Sequence, residues 1–123
     1  METIEAGARF LEEFDTKIPV RAAFWVRVGE DDLGYLYVTS DQFIGTSVGA
    51  AYADVLRIAR EMRDPNFDPF RVKLIKPDDP LAQAAIEILQ RFPAKVPTRI
   101  RGRIFGGLVP DEVYIYPNPV TVP

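Results

Sequence analysis

Hydrophobic and polar positions follow two different periods over residues 3–40, and these periods predict the first three elements. Apolar residues recur at helical spacing over residues 3–14, which indicates an amphipathic helix. Strict alternation then runs over residues 18–29 and resumes over residues 35–40, as in strands with two different faces. The polar, glycine-containing segment 30–34 between them is typical of a turn, so the two strands are predicted to form a hairpin.

The rest of the chain continues to switch between helical and strand spacing. Residues 47–62 and 80–92 carry apolar stripes at helical spacing, and Asp79 followed by Pro80 is typical of an N-cap and a first helical position. Short alternating runs predict three further strands, at residues 71–75, 98–105 and 112–117.

The predicted element order is α-ββ-α-β-α-ββ. We therefore expect a single α+β domain over residues 1–117, built on a mixed five-stranded sheet, followed by a proline-rich tail at 118–123. One parity of the strand positions is apolar and should pack beneath helices that lie on one face of the sheet. Its members are Val20, Ala22, Phe24, Val26, Leu36, Val38, Val72, Leu74, Ile100, Ile104, Val113 and Ile115.

The opposite parity of the same strands is rich in arginine and aromatic residues. If all five strands share one sheet, these side chains form a candidate binding face opposite the helices. Its predicted members are Arg21, Trp25, Arg27, Tyr35, Tyr37, Arg71, Lys73, Arg99, Arg101, Arg103, Tyr114 and Tyr116. Glu112 is the single acid at these positions. The acidic N-terminal helix could instead fold across the face and neutralise it.

Three interpretations of this face compete. Tyrosine and arginine suit a solvated strand surface, where cross-strand pairs contribute roughly 0.2–1 kcal/mol each without any ligand. Tryptophan, tyrosine and arginine are also enriched at the hot spots of protein interfaces, including those between identical chains. A basic, aromatic sheet could alternatively stack single-stranded nucleic acid, although the net charge of −3 argues against a general nucleic-acid binder.

The chain contains no histidine and no cysteine. This composition excludes disulfides, thiolate nucleophiles and the usual zinc sites, and it removes the most frequent general base. An enzyme of this composition would depend on carboxylate, tyrosine or lysine groups or on a metal held by oxygen ligands, and we expect it to act on an anionic metabolite. The lack of cysteine, of a long apolar run and of a basic leader leads us to expect a soluble, cytoplasmic protein.

Two short motifs suggest chemistry that the rest of the sequence does not support. Residues 45–49 match the G-x-S-x-G pattern of a nucleophilic serine, but Ser47 has no histidine to activate it. The same segment could hold an anion at the start of a helix, although it lacks the lysine of a phosphate loop. We interpret it as a helix cap formed by Thr46 or Ser47.

Acidic residues gather at three turns. Asp64, Asn66 and Asp68 follow the D-x-N-x-D spacing of a calcium loop, but Pro69 replaces the glycine that such a loop needs. We interpret these acids as turn-forming side chains, and we interpret the adjacent pairs 31–32 and 78–79 as turn and cap residues. No metal or cofactor site is predicted.

The sequence therefore predicts a non-catalytic binding or assembly domain. Its basic-aromatic sheet face is expected to meet a protein partner or a second copy of the chain. Binding of single-stranded nucleic acid on the same face is the alternative, and an enzyme that works without histidine or cysteine is the third.

Overall fold

Three helices flank a five-stranded sheet in the computed structural model, which describes residues 2–29, 34–43, 48–92 and 96–118. The elements are α1 Glu2–Lys17, β1 Ala22–Arg27, β2 Tyr35–Thr39, α2 Gly49–Met62, β3 Val72–Ile75, α3 Pro80–Arg91, β4 Thr98–Ile100 and β5 Glu112–Ile115. Short 3-10 turns occupy Asp41–Phe43 and Pro69–Arg71. The predicted element order and the α+β class are confirmed.

The strands are arranged in the order β3-β2-β1-β5-β4. The pair β2–β3 is parallel and all other neighbours are antiparallel, so the mixed sheet and the β1–β2 hairpin are confirmed. The helix α2 joins parallel neighbours, as expected for a helical crossover. The helix α3, in contrast, connects β3 to β4 at the opposite edge, so it crosses the sheet.

The prediction that the helices share one face is wrong. The hairpin register pairs Trp25 with Leu36 and Phe24 with Tyr37. The Trp25 side forms one core with α1 and α2, and the Phe24 side forms a second core with α3. Both parities of β1 are apolar and buried, with Ala23 beside Trp25 on one side. A strand that is apolar on both sides must be covered on both sides, which explains the third layer.

The helix α1 lies close to the sheet at Gly7. The buried Tyr116 hydroxyl accepts a hydrogen bond from Trp25 Nε1 at 2.8 Å and donates one to the Ile4 carbonyl oxygen at 2.7 Å. A Cβ atom at Gly7 would come within 2.4 Å of the same hydroxyl. The sequence left open whether α1 folds across the aromatic residues, and the structure shows that it covers Trp25 and Tyr116.

The predicted fourth strand ends five residues early, at Ile100. Gly102 adopts a φ of +64°, which breaks the alternation of strand positions. The chain then makes a turn in which Phe105 and Leu108 exchange backbone hydrogen bonds of 2.7 and 3.0 Å. As a result Ile104, predicted to be buried, is 77% exposed, and Phe105 instead packs edge-on against Phe24 at 5.4 Å.

Other boundaries differ by a few residues. The first strand begins at Ala22 and not at residue 18, because the Val20 N–H is taken by the Asp15 carboxylate at 2.7 Å. Asp79 caps α3 as predicted, accepting from Leu81 N at 2.9 Å, with Pro80 in the first turn. The turn at 30–33, most of the G-x-S-x-G motif and the tail from residue 119 lie outside the described residues. No helix within the described ranges is long and apolar enough to cross a membrane.

Candidate functional site: an arginine cluster around Glu112

Three neighbouring strands bring three arginines to one carboxylate. Arg27 at the end of β1 lies opposite Glu112 at the start of β5, and Arg99 on β4 lies opposite Tyr114. Glu112 accepts hydrogen bonds from Arg99 at 2.7 Å and from Arg27 and Arg101 at 3.3 Å each. We call Arg27, Arg99 and Arg101, with Glu112 at their centre, the arginine cluster.

The cluster lies on the same sheet face as α1 and α2. The Arg99 guanidinium lies over the Tyr114 ring, 4.9 Å from its centroid, and Tyr114 packs edge-on against Tyr116 at 5.1 Å. Burial raises the pKa of Tyr114, and the positive charge of Arg99 opposes part of that rise. The arginine side chain therefore covers an aromatic ring and keeps its charged group at the surface.

The cluster presents positive charge to solvent. The Glu112 side chain is 15% exposed, whereas the side chains of Arg99 and Arg101 are 42% and 72% exposed. Three guanidinium charges bond to one carboxylate, so the cluster itself has two more positive than negative charges, and the charge of the neighbouring Asp111 carboxylate offsets part of this excess. The nearby Asp111 carboxylate accepts from the Gly29 backbone N–H. Each guanidinium has five N–H donors and gives one hydrogen bond to Glu112, so donors remain for a second anion.

Three of the predicted aromatic members, Trp25, Tyr114 and Tyr116, are buried core residues on this face. Trp25 is 9% exposed and Tyr116 is 1% exposed, and both lie beneath α1. Their predicted place on the same face as Arg27 is correct, but the prediction that they are accessible there is wrong. The helix α1 covers them because the face also carries Leu36 and Val38 from β2, which make it apolar enough to need a helix.

The predicted site residues on β2 and β3 lie on the opposite face of the sheet, which α3 covers. Tyr37 stacks on Phe24 at 5.5 Å and belongs to the core beneath α3. Tyr35 has the Lys73 ammonium 4.7 Å and the Arg71 guanidinium carbon 5.2 Å from its ring centroid. The predicted single Arg-aromatic face is therefore wrong, because the sheet divides its members between two faces.

The two remaining predicted arginines lie away from the cluster. Arg21, just before β1, pairs with Asp41 at 3.1 Å, at the opposite end of that strand from Arg27. Arg103 is exposed in the segment that follows β4. Of the predicted site residues, the structure thus gathers Arg27, Arg99, Arg101 and Tyr114. Glu112, which organises them, was noted in the sequence as the single acid but was not assigned this role.

The acidic residues of the turn at 64–68 act as predicted. The Asp64 carboxylate accepts from Asn66 N at 2.9 Å and also pairs with Arg9, and both contacts hold its pKa below the usual range, the Asn66 N–H bond most strongly. Asp68 accepts from Phe70 N at 2.9 Å. Within the part of the chain that the structure describes, no three of the metal-binding residue types gather into one group.

The chemistry of the arginine cluster is charge recognition. Planar guanidinium groups match carboxylate and phosphate oxygens, and Glu112 already occupies part of the cluster in this way. Two clefts among the described residues lie against α2, and the arginine cluster lines neither of them. Comparison of the chain with protein-family models, with curated proteins and with solved structures gave no match.

Proposed function

We propose that this protein is a non-catalytic binding domain that holds an acidic segment of a protein partner on its arginine cluster. The observation that supports the proposal is the convergence of three partly exposed guanidinium groups on one covered carboxylate. The positive charges of three guanidinium groups that bond to the same carboxylate repel one another unless anions neutralise them. The Glu112 carboxylate neutralises these charges only in part, and an acidic segment from a partner would complete the neutralisation.

A protein partner fits these residues better than a nucleic acid does. Single-stranded nucleic acid binds through stacking of bases on exposed aromatic rings as well as through phosphates. The rings beside the cluster are Trp25, Tyr114 and Tyr116, and each is less than 10% exposed. Carboxylate recognition, in contrast, needs only the guanidinium groups that are at the surface.

The experiment is a titration of the protein with a fluorescently labelled polyglutamate peptide at low salt. We expect saturable binding that weakens as salt is added, because the contact is electrostatic. Replacing both exposed arginines, Arg99→Ala with Arg101→Ala, should weaken it about a hundredfold, or about tenfold for each arginine. Arg101→Ala alone, at a 72% exposed side chain, tests the loss without disturbing the packing on Tyr114.

Arg21→Ala is the matched control. Its side chain is 40% exposed, against 42% for Arg99, and it pairs with a carboxylate in the same way. Its replacement should leave peptide affinity unchanged. Equal losses from Arg21→Ala and Arg101→Ala would reduce the effect to net charge, and tighter binding of oligothymidylate than of the peptide would favour the nucleic-acid alternative. Either result overturns the proposal.

Glu112→Gln should change stability and binding in opposite directions. The variant keeps the shape of the side chain but leaves three guanidinium groups without their carboxylate. We expect the free energy of unfolding to fall by about 1–2 kcal/mol, a modest value because the three arginine side chains are partly exposed to solvent. Peptide affinity should rise several-fold, since the internal competitor is gone. Urea unfolding and the peptide titration measure the two quantities, and a fall in both would assign Glu112 to the binding contact itself.

A further inference from the structure

The first half of α2 is apolar on its outer side as well as on its inner side. Residues 49–56 contain one charged residue, Asp54, which pairs with Arg57 at 3.5 Å. The inner side packs on α1 through Ala51, Val55 and Ile58. The outer side carries Tyr52, Ala53 and Leu56 at helical spacing, and all three are exposed. A helix that is apolar all round is normally covered all round.

Phe70 extends this outer surface. Its side chain is 82% exposed and stands on a rigid 3-10 turn, with Asp68 as the N-cap and Pro69 in the first turn. This surface contains a cleft of about 180 Å³, which is lined by Tyr52, Val55, Leu56, Pro69, Phe70 and Val72. A cavity of roughly 150 Å³ accommodates a benzene ring. The surface therefore holds a protruding aromatic ring next to a cleft of the size that accepts one.

We propose that this surface, defined by Tyr52, Ala53, Leu56 and Phe70, is the contact between two copies of the chain related by a two-fold axis. In such a contact the same patch occurs on both sides, so a ring and a cleft that lie side by side can each receive the other. Phe70 of each copy enters the cleft of its partner. Burying an aromatic side chain that is now exposed supplies the largest single contribution to such a contact.

Charges at the border of the surface agree with a second copy as the occupant. Asp68 and Arg60 are both exposed, carry opposite charges, and have no ion pair within the described residues. Two-fold symmetry brings both signs from each copy, so each charge can find its complement across the contact. The uncharged centre gives a strongly acidic or basic partner nothing to pair with.

The edge of the sheet formed by β3 is not available for pairing with an extended segment of a partner. The outward N–H of Leu74 on the edge strand β3 is already bonded to the Tyr52 hydroxyl at 2.9 Å. The N–H of Val72 is taken by the Pro69 carbonyl oxygen. Backbone pairing with an extended segment therefore lacks donors at these two residues, and an occupant must pack through side chains.

The test is sedimentation equilibrium over a wide range of protein concentration. We expect the wild-type chain to approach twice its monomer mass as concentration rises. Phe70→Glu should raise the dimer dissociation constant about a hundredfold, as replacement of a central hot-spot residue does. Because Phe70 is exposed, the variant should keep the wild-type circular dichroism spectrum. Ile104→Glu is the matched control, since Ile104 is a comparably exposed apolar residue outside this surface.

Arg60→Asp and Asp68→Arg provide a second test, with Asp68→Asn as the control that removes the charge but keeps an N-cap for the turn carrying Phe70. Each reversal alone should weaken the dimer, and the two together should restore much of the affinity. A chain that stays monomeric at every concentration overturns the proposal and leaves the surface to a different protein. Equal effects of Phe70→Glu and Ile104→Glu overturn it as well. Phe70→Glu should bind the polyglutamate peptide normally, so failure here is separable from failure of the arginine cluster.

Discussion

Gly106→Ala is expected to lower the free energy of unfolding by about 3 kcal/mol, which is a large share of the roughly 5–15 kcal/mol typical of a domain. Gly106 has a φ of +57°, where a side chain costs about 1–2 kcal/mol. A Cβ atom there would also lie 2.8 Å from the Leu81 Cα atom and 2.9 Å from its nitrogen. Those are backbone atoms of the first turn of α3, so they cannot rotate away, and overpacking of this kind costs about 1–3 kcal/mol.

A substitution at the neighbouring Gly107 separates the cost of backbone strain from the cost of the close contact with Leu81. Gly107 has a φ of +85°, but a Cβ atom there would meet nothing within 4 Å. Gly107→Ala should therefore cost only the backbone strain, about 1–2 kcal/mol. Urea unfolding of the two variants gives the difference directly. If both variants lose the same stability, the turn shifts away from α3 and the close contact plays no part.

The positive φ values of Gly102 and Gly106 also explain why the fourth strand was predicted too long. Apolar and polar residues alternate over residues 98–105, and this alternation does not reveal that Gly102 and Gly106 take positive φ values. The constraint on Gly106 comes from Leu81, which lies 25 positions earlier in the chain. Contacts of such range are not encoded in local periodicity, whereas the Asp79–Pro80 cap of α3 is a local signal and was predicted correctly.

The register of the β1–β2 hairpin places the predicted binding residues on two opposite faces of the sheet. Within the observed bounds of each strand the two parities were assigned correctly. The relation among β1, β5 and β4 was also correct, since Trp25 lies opposite Tyr114 and Tyr114 opposite Arg99. The hairpin register places Trp25 opposite Leu36 and not on the same face as Tyr35. A shift of one residue at the turn inverts every side chain of β2 and, through the parallel pairing, of β3.

The same register accounts for the position of the arginine cluster. It brings Leu36, Val38 and Leu74 to the face that already carries Trp25 and Tyr116, and this combined apolar area binds α1 and α2. Arg27 lies past that area at the end of β1, and Arg99 lies beside it on β4; both guanidinium groups are at the surface. Burial of the aromatic residues and exposure of the arginines are thus two results of one pairing, which explains why alternation alone predicted the residue types but not their accessibility.

Gly7→Ala and Tyr116→Phe should each destabilise the protein, but their effects should not add. Tyr116→Phe leaves Trp25 Nε1 and the Ile4 carbonyl oxygen without their buried partner, at a cost of about 2–3 kcal/mol. Burial raises the pKa of Tyr116, so its hydroxyl stays protonated and able to donate to Ile4. Gly7→Ala places a Cβ atom 2.4 Å from that hydroxyl, and we expect a loss of about 2 kcal/mol despite the better helix propensity of alanine.

The double variant removes both the hydroxyl and the overlap that alanine would make with it. We therefore expect it to lose at least 1 kcal/mol less than the sum of the single losses, within the range of coupling energies between contacting residues. Tyr35→Phe, at a more exposed tyrosine, should change stability by less than about 0.5 kcal/mol and controls for removal of a hydroxyl. Strict additivity in urea unfolding would contradict this prediction, because it would mean that the alanine Cβ atom and the Tyr116 hydroxyl do not affect each other. The cost of Gly7→Ala would then arise from other contacts of α1.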